Sequence, residues 1–114
     1  MSPRLKSRLW VEALLRRCQS EGKFGAVVKT GADEAGAIYV IINRLDGSSE
    51  LLAPPAGPST NDDGDRWFRR VFENAVAEQE INAHLARQLK FDADFWVVEI
   101  ETRAGLADLI LAPI

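Results

Sequence analysis

One cysteine, one histidine and the lack of any long apolar run set the first limits on this sequence of 114 residues. Cys18 has no second cysteine with which to form an internal disulfide, and the N-terminus lacks the apolar stretch of a secretory signal. We therefore expect a reducing, cytoplasmic setting. The nearest approaches to a membrane span, Ala37–Ile42 and Phe95–Val98, are far shorter than the roughly 18 to 20 residues that cross a bilayer, which excludes an integral membrane protein.

Local catalytic and cofactor motifs are also missing. The chain has no glycine-rich dinucleotide or phosphate loop, no Cys-x-x-Cys pair and no Gly-x-Ser-x-Gly elbow. Cys18 lies on an apolar helix face, where a buried, inert thiol is the favoured interpretation. His84 follows Glu80 by four residues, but no second histidine or thiolate completes a metal site, so a hydrogen bond on the helix surface is favoured. These absences disfavour an enzyme, and no catalytic residue and no cofactor is predicted.

Composition and charge are those of an ordinary globular chain. Apolar residues make up 46% and charged residues 27%, and the length fits one domain over residues 1–114. The net charge of −3 is uneven, since residues 1–30 hold seven Lys and Arg against two Asp and Glu, whereas residues 31–114 hold seven against fifteen. A basic arm for an anionic partner and a basic helix packed on its own acidic sheet both explain this difference.

The first half of the chain predicts a helix followed by three strands. Apolar residues recur with a helical period, Gly22 is placed to end the helix, and Ser7 or Ser2 is a candidate N-cap. Glycines at both ends of Gly31–Gly36 favour a hairpin loop with positive φ, and Asp46-Gly47 favours a type I′ turn. The predicted elements are a helix over Leu5–Ser20 and a meander of the strands Phe24–Thr30, Ala37–Asn43 and Ser48–Leu52.

Prolines divide this half from the next. Pro54–Pro58 cannot extend a ladder and predicts a surface loop. The segment that follows fits a strand or a helix, and a strand to about Glu73 is preferred because one straight helix could not bury both the apolar stripe from Phe68 and the later one from Ala77. We predict an α+β fold, an antiparallel sheet of about five strands with two helices on one face, in the order α-β-β-β-β-α-β. The apolar tail Leu106–Ile114 is expected to dock on the chain's own core or on a second subunit. The predicted elements of this half are a strand from Arg66, a helix over Ala77–Lys90 and a strand over Phe95–Thr102.

Arginines alternate with aromatic residues at the start of the fourth strand. Arg66, Arg69 and Arg70 neighbour Trp67 and Phe68, and sheets hold single-stranded nucleic acid with this combination by stacking and phosphate contact. The same pattern is typical of core aromatics past which arginine side chains extend to solvent. The isoelectric point of about 5.1 is acidic, whereas a dedicated nucleic-acid protein carries a basic surface. Nucleic acid is therefore disfavoured as a partner without being excluded.

Four carboxylates, Asp92, Asp94, Glu99 and Glu101, are the candidates for a divalent cation or an acid–base pair. On a strand, Glu99 and Glu101 share the face opposite Trp96, so exposure of both glutamates is the simplest interpretation. Asp92 and Asp94 fit a turn in which a carboxylate accepts backbone N–H groups. A structural role is therefore favoured over a metal or catalytic site.

Four segments carry a resemblance that runs nearly from end to end. They are Arg4-Leu5-Lys6 before Trp10, Leu15-Arg16-Arg17-Cys18, Asn43-Arg44-Leu45-Asp46-Gly47, and Phe91-Asp92-x-Asp94-x-Trp96-Val97-Val98-Glu99-Ile100-Glu101. In them the chain resembles a small family of about this length from alphaproteobacteria, number 1491 among the domains of unknown function. The resemblance implies a lineage and a cytoplasmic setting, with no catalytic residues to carry over.

Three functions fit these features. The first is a small cytoplasmic, non-enzymatic binding or adaptor module, with a homodimer through the apolar tail or a sheet edge as one form of it. The second is a nucleic-acid or ribosome-associated protein that uses the basic N-terminal helix and the arginines near Trp67. The third is a small metal-dependent enzyme that uses the acidic cluster.

Overall fold

The computed structural model describes residues 6–105 and 109–113. No helix in this part of the chain is long and apolar enough to span a membrane. The predicted α+β class is confirmed, with six strands where about five were expected. In chain order the elements are α1 Ser7–Ser20, β1 Gly25–Lys29, β2 Ile38–Asn43, β3 Ser49–Ala53, β4 Trp67–Arg70, α2 Glu78–Gln88, β5 Trp96–Glu101 and β6 Ile110–Leu111.

The strands form one sheet in the order β1-β5-β2-β3-β4-β6. β5 and β2 are parallel, as are β4 and β6, and the other neighbours are antiparallel. The predicted meander is wrong at its first connection, because β5 lies between β1 and β2. β5 is buried along most of its length, whereas β1 is half-buried or exposed throughout, so the more apolar strand takes the inner position.

The two helices lie on opposite faces of the sheet, so the prediction that both cover one face is wrong. β2 and β5 bury side chains on both faces, although Glu99 and Glu101 alternate with apolar residues at the end of β5. We call the two sides the α1 face and the α2 face. The α1-face core contains Val11, Leu14, Cys18, Ile38, Val40, Ile42, Leu52, Phe68, Trp96, Val98, Ile100 and Leu109; the α2-face core contains Ile41, Leu51, Ile81, Phe95 and Val97.

Gly31 and Gly36 are required for space rather than for positive φ, which contradicts the predicted hairpin loop. A Cβ atom at Gly31 would collide with the Asp94 carbonyl oxygen, and one at Gly36 would lie 2.6 Å from the same atom. The loop covers the start of α1, where the Ser7 N–H donates to the Glu34 carbonyl at 3.0 Å. The Ser7 hydroxyl donates to the Gly36 carbonyl at 2.6 Å, so it is not the predicted N-cap; Ser2 lies outside the described residues.

The hairpin between β2 and β3 is confirmed, but its turn is not type I′. Positive φ falls on Leu45, at 62°, and on Gly47, at 89°, and not on Asp46. The Asp46 carboxylate instead accepts the Ser48 N–H at 2.9 Å and the Ser48 hydroxyl at 2.6 Å. These hydrogen bonds lower the pKa of Asp46 and explain why the aspartate departs from the expected geometry.

The second half follows the predicted order with shorter elements. The segment after the proline loop is a strand, as predicted, but it ends at Arg70 rather than near Glu73. The tail docks on the chain itself, since Leu109 is buried in the α1-face core and β6 pairs with β4. Residues 106–108 and 114 of that tail lie outside the described part.

Candidate binding groove

A groove of about 740 Å³ opens at the edge of the sheet formed by β4 and β6. Its volume lies within the roughly 300 to 1,000 Å³ of small-ligand pockets. Most of its lining is apolar, and three separate parts of the chain contribute. The lining residues are Pro55, Ala56, Gly57, Pro58, Trp67, Phe68, Arg69, Arg70, Glu73, Leu111, Ala112 and Pro113, and we call the site the β4 groove.

The proline loop is held in place as one wall of the β4 groove. The indole N–H of Trp67 donates to the Pro58 carbonyl at 2.7 Å. An isolated antiparallel bridge joins Thr60 to Arg66, and the Asn61 side chain accepts two backbone N–H groups of the same loop at 2.9 and 3.0 Å. The wall is therefore fixed from both the strand side and the loop side.

β4 is not paired along its whole outer edge. The Phe68 carbonyl accepts the Ala112 N–H at 2.8 Å on the β6 side, whereas the Val71 N–H donates to the Leu51 carbonyl at 2.9 Å on the β3 side. Because backbone groups of successive residues point to opposite edges of a strand, the N–H and C=O of Arg70 point outward like those of Phe68. Within the described residues β6 pairs with the first two residues of β4 and no further, so these groups of Arg70 lie beyond the last ladder pair.

The three predicted arginines do not share one surface. Arg66 is 8% exposed, with its guanidinium carbon 5.9 Å from the Trp10 ring centre and its Nη2 donating to the Ser7 hydroxyl at 3.4 Å. Arg69 and Arg70 are exposed and line the β4 groove. The structure brings two of the three together at one site and buries the other beneath α1.

Arg70 is fixed by a buried carboxylate. Glu50 is 7% exposed, and its two oxygens accept Arg70 Nε at 3.1 Å and Arg44 Nη1 at 3.2 Å. Arg44 also donates Nε to the Arg103 carbonyl at 3.1 Å. This network ties β4 to the β2–β3 hairpin and to the segment that precedes the tail.

Arg69 projects to the other side of β4 from Arg70, on the α2 face. No described residue forms a hydrogen bond or an ion pair with its guanidinium group, which leaves the charge available at the groove. Burial lowers the pKa of His84, and the positive charges of Arg87 and Arg69 lower it further. Burial also raises the pKa of Tyr39, which Arg69 opposes.

Comparison with known proteins shows the lineage of the chain. The model of the family described as protein of unknown function (DUF1491) matches residues 5–109. The chain belongs to the DUF1491 family. It is 40% identical to protein Atu0922 from A. tumefaciens, whose solution structure superposes with a TM-score of 0.82 over 98% of each chain. Among proteins with curated descriptions, none matches.

Two structures of a DUF1491 family protein from Caulobacter crescentus have the same fold. The crystal structure is 28% identical with a TM-score of 0.76, over 96% of this chain and 98% of that one. The NMR structure is 30% identical with a TM-score of 0.75, over 98% and 100%. The predicted family and alphaproteobacterial kinship are thus confirmed, and the family, being of unknown function, supplies no activity to transfer.

In this member of the DUF1491 family the four predicted carboxylates do not converge. Asp92 accepts the Asp94 N–H at 2.8 Å in an exposed turn, as its sequence context predicted. Glu99 and Glu101 are half-buried rather than exposed, because α2 and neighbouring strands cover this face, and Asn43 donates to Glu99 at 3.3 Å. Across residues 6–105 and 109–113, no group of three or more acids, histidines or cysteines is placed to hold a metal ion.

The structure contradicts the prediction for His84 and confirms the prediction that Cys18 is buried. The predicted surface hydrogen bond of His84 is wrong, since its Nε2 is buried without a partner in the described chain and its ring packs edge-on to Phe72 at 6.0 Å. Cys18 is buried in the α1-face core, as predicted. Burial raises the pKa of the Cys18 thiol and keeps it protonated at neutral pH.

The walls of the β4 groove could not be assembled from sequence, because they come from the loop near residue 56, from β4 and from the tail. One signal was present. Prolines stand on both sides of an edge strand, at Pro55 and Pro58 and again at Pro113, and proline cannot donate to a ladder. Prolines that flank a short aromatic strand indicate an edge on which pairing stops.

Proposed function

We propose that this DUF1491 protein is a cytoplasmic, non-enzymatic adaptor of one domain that binds a short segment of another polypeptide in the β4 groove. The observation that supports this most is the combination of lining groups. Trp67 and the loop prolines supply apolar contact area, and Arg69 supplies a charge that no described residue neutralises. Binding sites for organic ligands combine a mostly apolar wall with a few polar groups that fix orientation.

The test is selection from a displayed library of random nine-residue peptides on the immobilised protein. Wild-type protein is expected to enrich a sequence consensus, and Ala112→Trp is expected to lose it because the indole fills the groove. Ala83→Trp is the matched control, since Ala83 is exposed on α2 and outside the groove. No enrichment, or enrichment that Ala112→Trp leaves intact, would contradict the proposal.

A second copy of the same chain is a competing occupant of this edge. Because Leu109 is already buried in its own core, the tail supplies less surface to a dimer than its sequence suggested. Sedimentation at increasing protein concentration separates the two cases. A dimer that Ala112→Trp converts to a monomer would replace the adaptor with a self-association module.

A further inference from the structure

Resting on the proposed function, we propose that the bound segment is an extended peptide that adds as a strand to the outer edge of β4, with an acidic side chain paired to Arg69. The occupant lies beside β4 beyond Phe68, where the ladder between β4 and β6 has ended. This assigns the β4 groove to the class of sites that recognise a peptide by main-chain hydrogen bonds.

The main-chain hydrogen bonds follow from the ladder geometry. Phe68 and Arg70 present their backbone groups to the same edge, and Phe68 is already bonded to Ala112. Arg70 is the next residue in line, and its N–H and C=O face the groove without a ladder partner in the described chain. A peptide in extended conformation places one C=O and one N–H at the spacing that Arg70 requires.

The surroundings favour an added peptide over further pairing within the chain. In the described chain no hydrogen bond joins Arg70 to Ala112, and Pro113, the next residue, has no N–H. The opposite wall is formed by Pro55 and Pro58, which likewise carry no N–H groups and leave the hydrogen-bonding capacity of the edge to a ligand. The open stretch is therefore short, and an extended peptide advances along it by roughly 3.3 Å per residue.

The positive charge of Arg69 favours an acidic side chain in the bound peptide. The carboxylates of Glu50, Asp33 and Glu34 already pair with Arg70, Arg8 and Lys6, whereas none in the described chain pairs with Arg69. A guanidinium beside an apolar wall forms a stronger pair with a carboxylate than one in open water does. Glu73 lines the same groove, so a second acid next to it is disfavoured and a single carboxylate is expected.

Nucleic acid fits the same groove less well. A strand of phosphates requires several cationic groups along one track, but Arg66 is buried beneath α1 and Arg70 is engaged by Glu50. One available guanidinium and an open backbone edge match one carboxylate on one extended peptide.

The test repeats the nine-residue selection with Arg69→Glu and Arg87→Glu, the latter an exposed arginine of α2 outside the groove. Wild-type and Arg87→Glu proteins are expected to enrich Asp or Glu at one position, and Arg69→Glu to enrich Lys or Arg there. The peptide selected on wild type should bind Arg69→Glu about tenfold more weakly. Enrichment that Ala112→Trp abolishes but Arg69→Glu leaves unchanged would retain the adaptor and overturn the carboxylate pairing.

Backbone methylation tests the added strand separately. Each peptide bond of the selected peptide is N-methylated in turn, which removes one donor and leaves the side chains in place. Methylation of the amide that faces Arg70 is expected to weaken binding about tenfold, and methylation of its immediate neighbours to have much less effect. Binding that no single methylation weakens would overturn strand addition. The adaptor would still be supported if Ala112→Trp abolished binding of the same peptide.

Discussion

Trp96 and Trp67 each begin a strand of the same sheet, and each donates its indole N–H to a carbonyl of a neighbouring loop. Trp96 donates to Ala32 at 2.8 Å and is 2% exposed, whereas Trp67 donates to Pro58 at 2.7 Å and is half-buried. In β5 the buried tryptophan joins the loop that contains Ala32 to the α1-face core. In β4 the same interaction fixes the proline loop as one wall of the β4 groove.

The neighbours of each strand account for this difference. β5 is paired on both edges along its length, by β1 and by β2. β4 is paired with β3 on one edge, and with two residues of β6 on the other. A similar aromatic start thus serves core packing where both edges are occupied, and lines the β4 groove where one edge is partly open.

The largest expected effect comes from removing the two indoles. Trp96→Ala should lower the free energy of unfolding by about 3 to 5 kcal/mol, because it empties a buried volume and removes the indole hydrogen bond to the Ala32 carbonyl. Trp67→Ala should cost about 1 to 2 kcal/mol, since its ring is half-buried. Urea unfolding of both variants measures the difference, and equal losses would contradict the contrast between the strands.

Added methyl groups sharpen the same contrast. Gly31→Ala places a Cβ against the Asp94 carbonyl oxygen, a backbone atom that cannot easily move, and should cost about 1 to 3 kcal/mol. At Gly57 in the proline loop, no atom lies within 4 Å of the position that a Cβ would take, so Gly57→Ala should change stability by less than about 0.5 kcal/mol. The contrast fails if thermal unfolding shows the loop variant to be the less stable one.

Glu50 tests whether β4 depends on its ion pairs. Glu50→Gln should destabilise the protein by about 1 to 2 kcal/mol, because the buried side chain loses its charged hydrogen bonds to Arg44 and Arg70. The loss stays small because both arginines are partly solvated. Glu101→Gln is the control and should have almost no effect, as Glu101 forms no ion pair in the described chain. Chemical denaturation compares them, and a neutral Glu50→Gln would show that Arg70 is oriented without its carboxylate.

The smallest effect is a pH dependence of stability that comes from His84 of α2, whose ring packs against Phe72. Burial and the charges of Arg87 and Arg69 lower the pKa of His84, so below its ordinary value of 6.5 the unfolded chain binds more protons than the folded one. Stability should therefore decrease as the pH falls from 6.5 through the folded pKa, and His84→Gln should remove that part of the decrease. Urea unfolding at neutral pH and at about pH 5.5 measures this slope, and an unchanged slope in the variant would refute it.

Much of the fold was predictable because the apolar runs are unambiguous. Ile38–Asn43 and Trp96–Glu101 have too few polar positions for an edge strand, and the helices follow a clear helical period. These strands bury side chains on both faces and so need a helix on each side, but the sequence interpretation placed both helices on one face. Strand order was not predictable, because local turn residues such as Gly31 and Gly36 suggested a hairpin where the chain in fact needs room for the Asp94 backbone.

The candidate site was predictable only in part. Arg69 and Arg70 were singled out because they neighbour aromatic residues, and they line the groove. Arg66 has the same local sequence context but is buried, because alternation along the strand directs it toward Trp10. The open backbone of Arg70 depends on where β6 stops, and that is a property of two segments about 40 residues apart.

Hydrogen exchange at the Arg70 amide tests the open edge most directly. In the free protein this amide should exchange quickly, while the neighbouring Val71 amide, bonded to Leu51, should be protected. Saturation with the peptide selected on wild-type protein should then slow the Arg70 amide and leave Val71 unchanged. An Arg70 amide that is already protected in the free protein, or whose exchange the bound peptide does not alter, would contradict strand addition at β4.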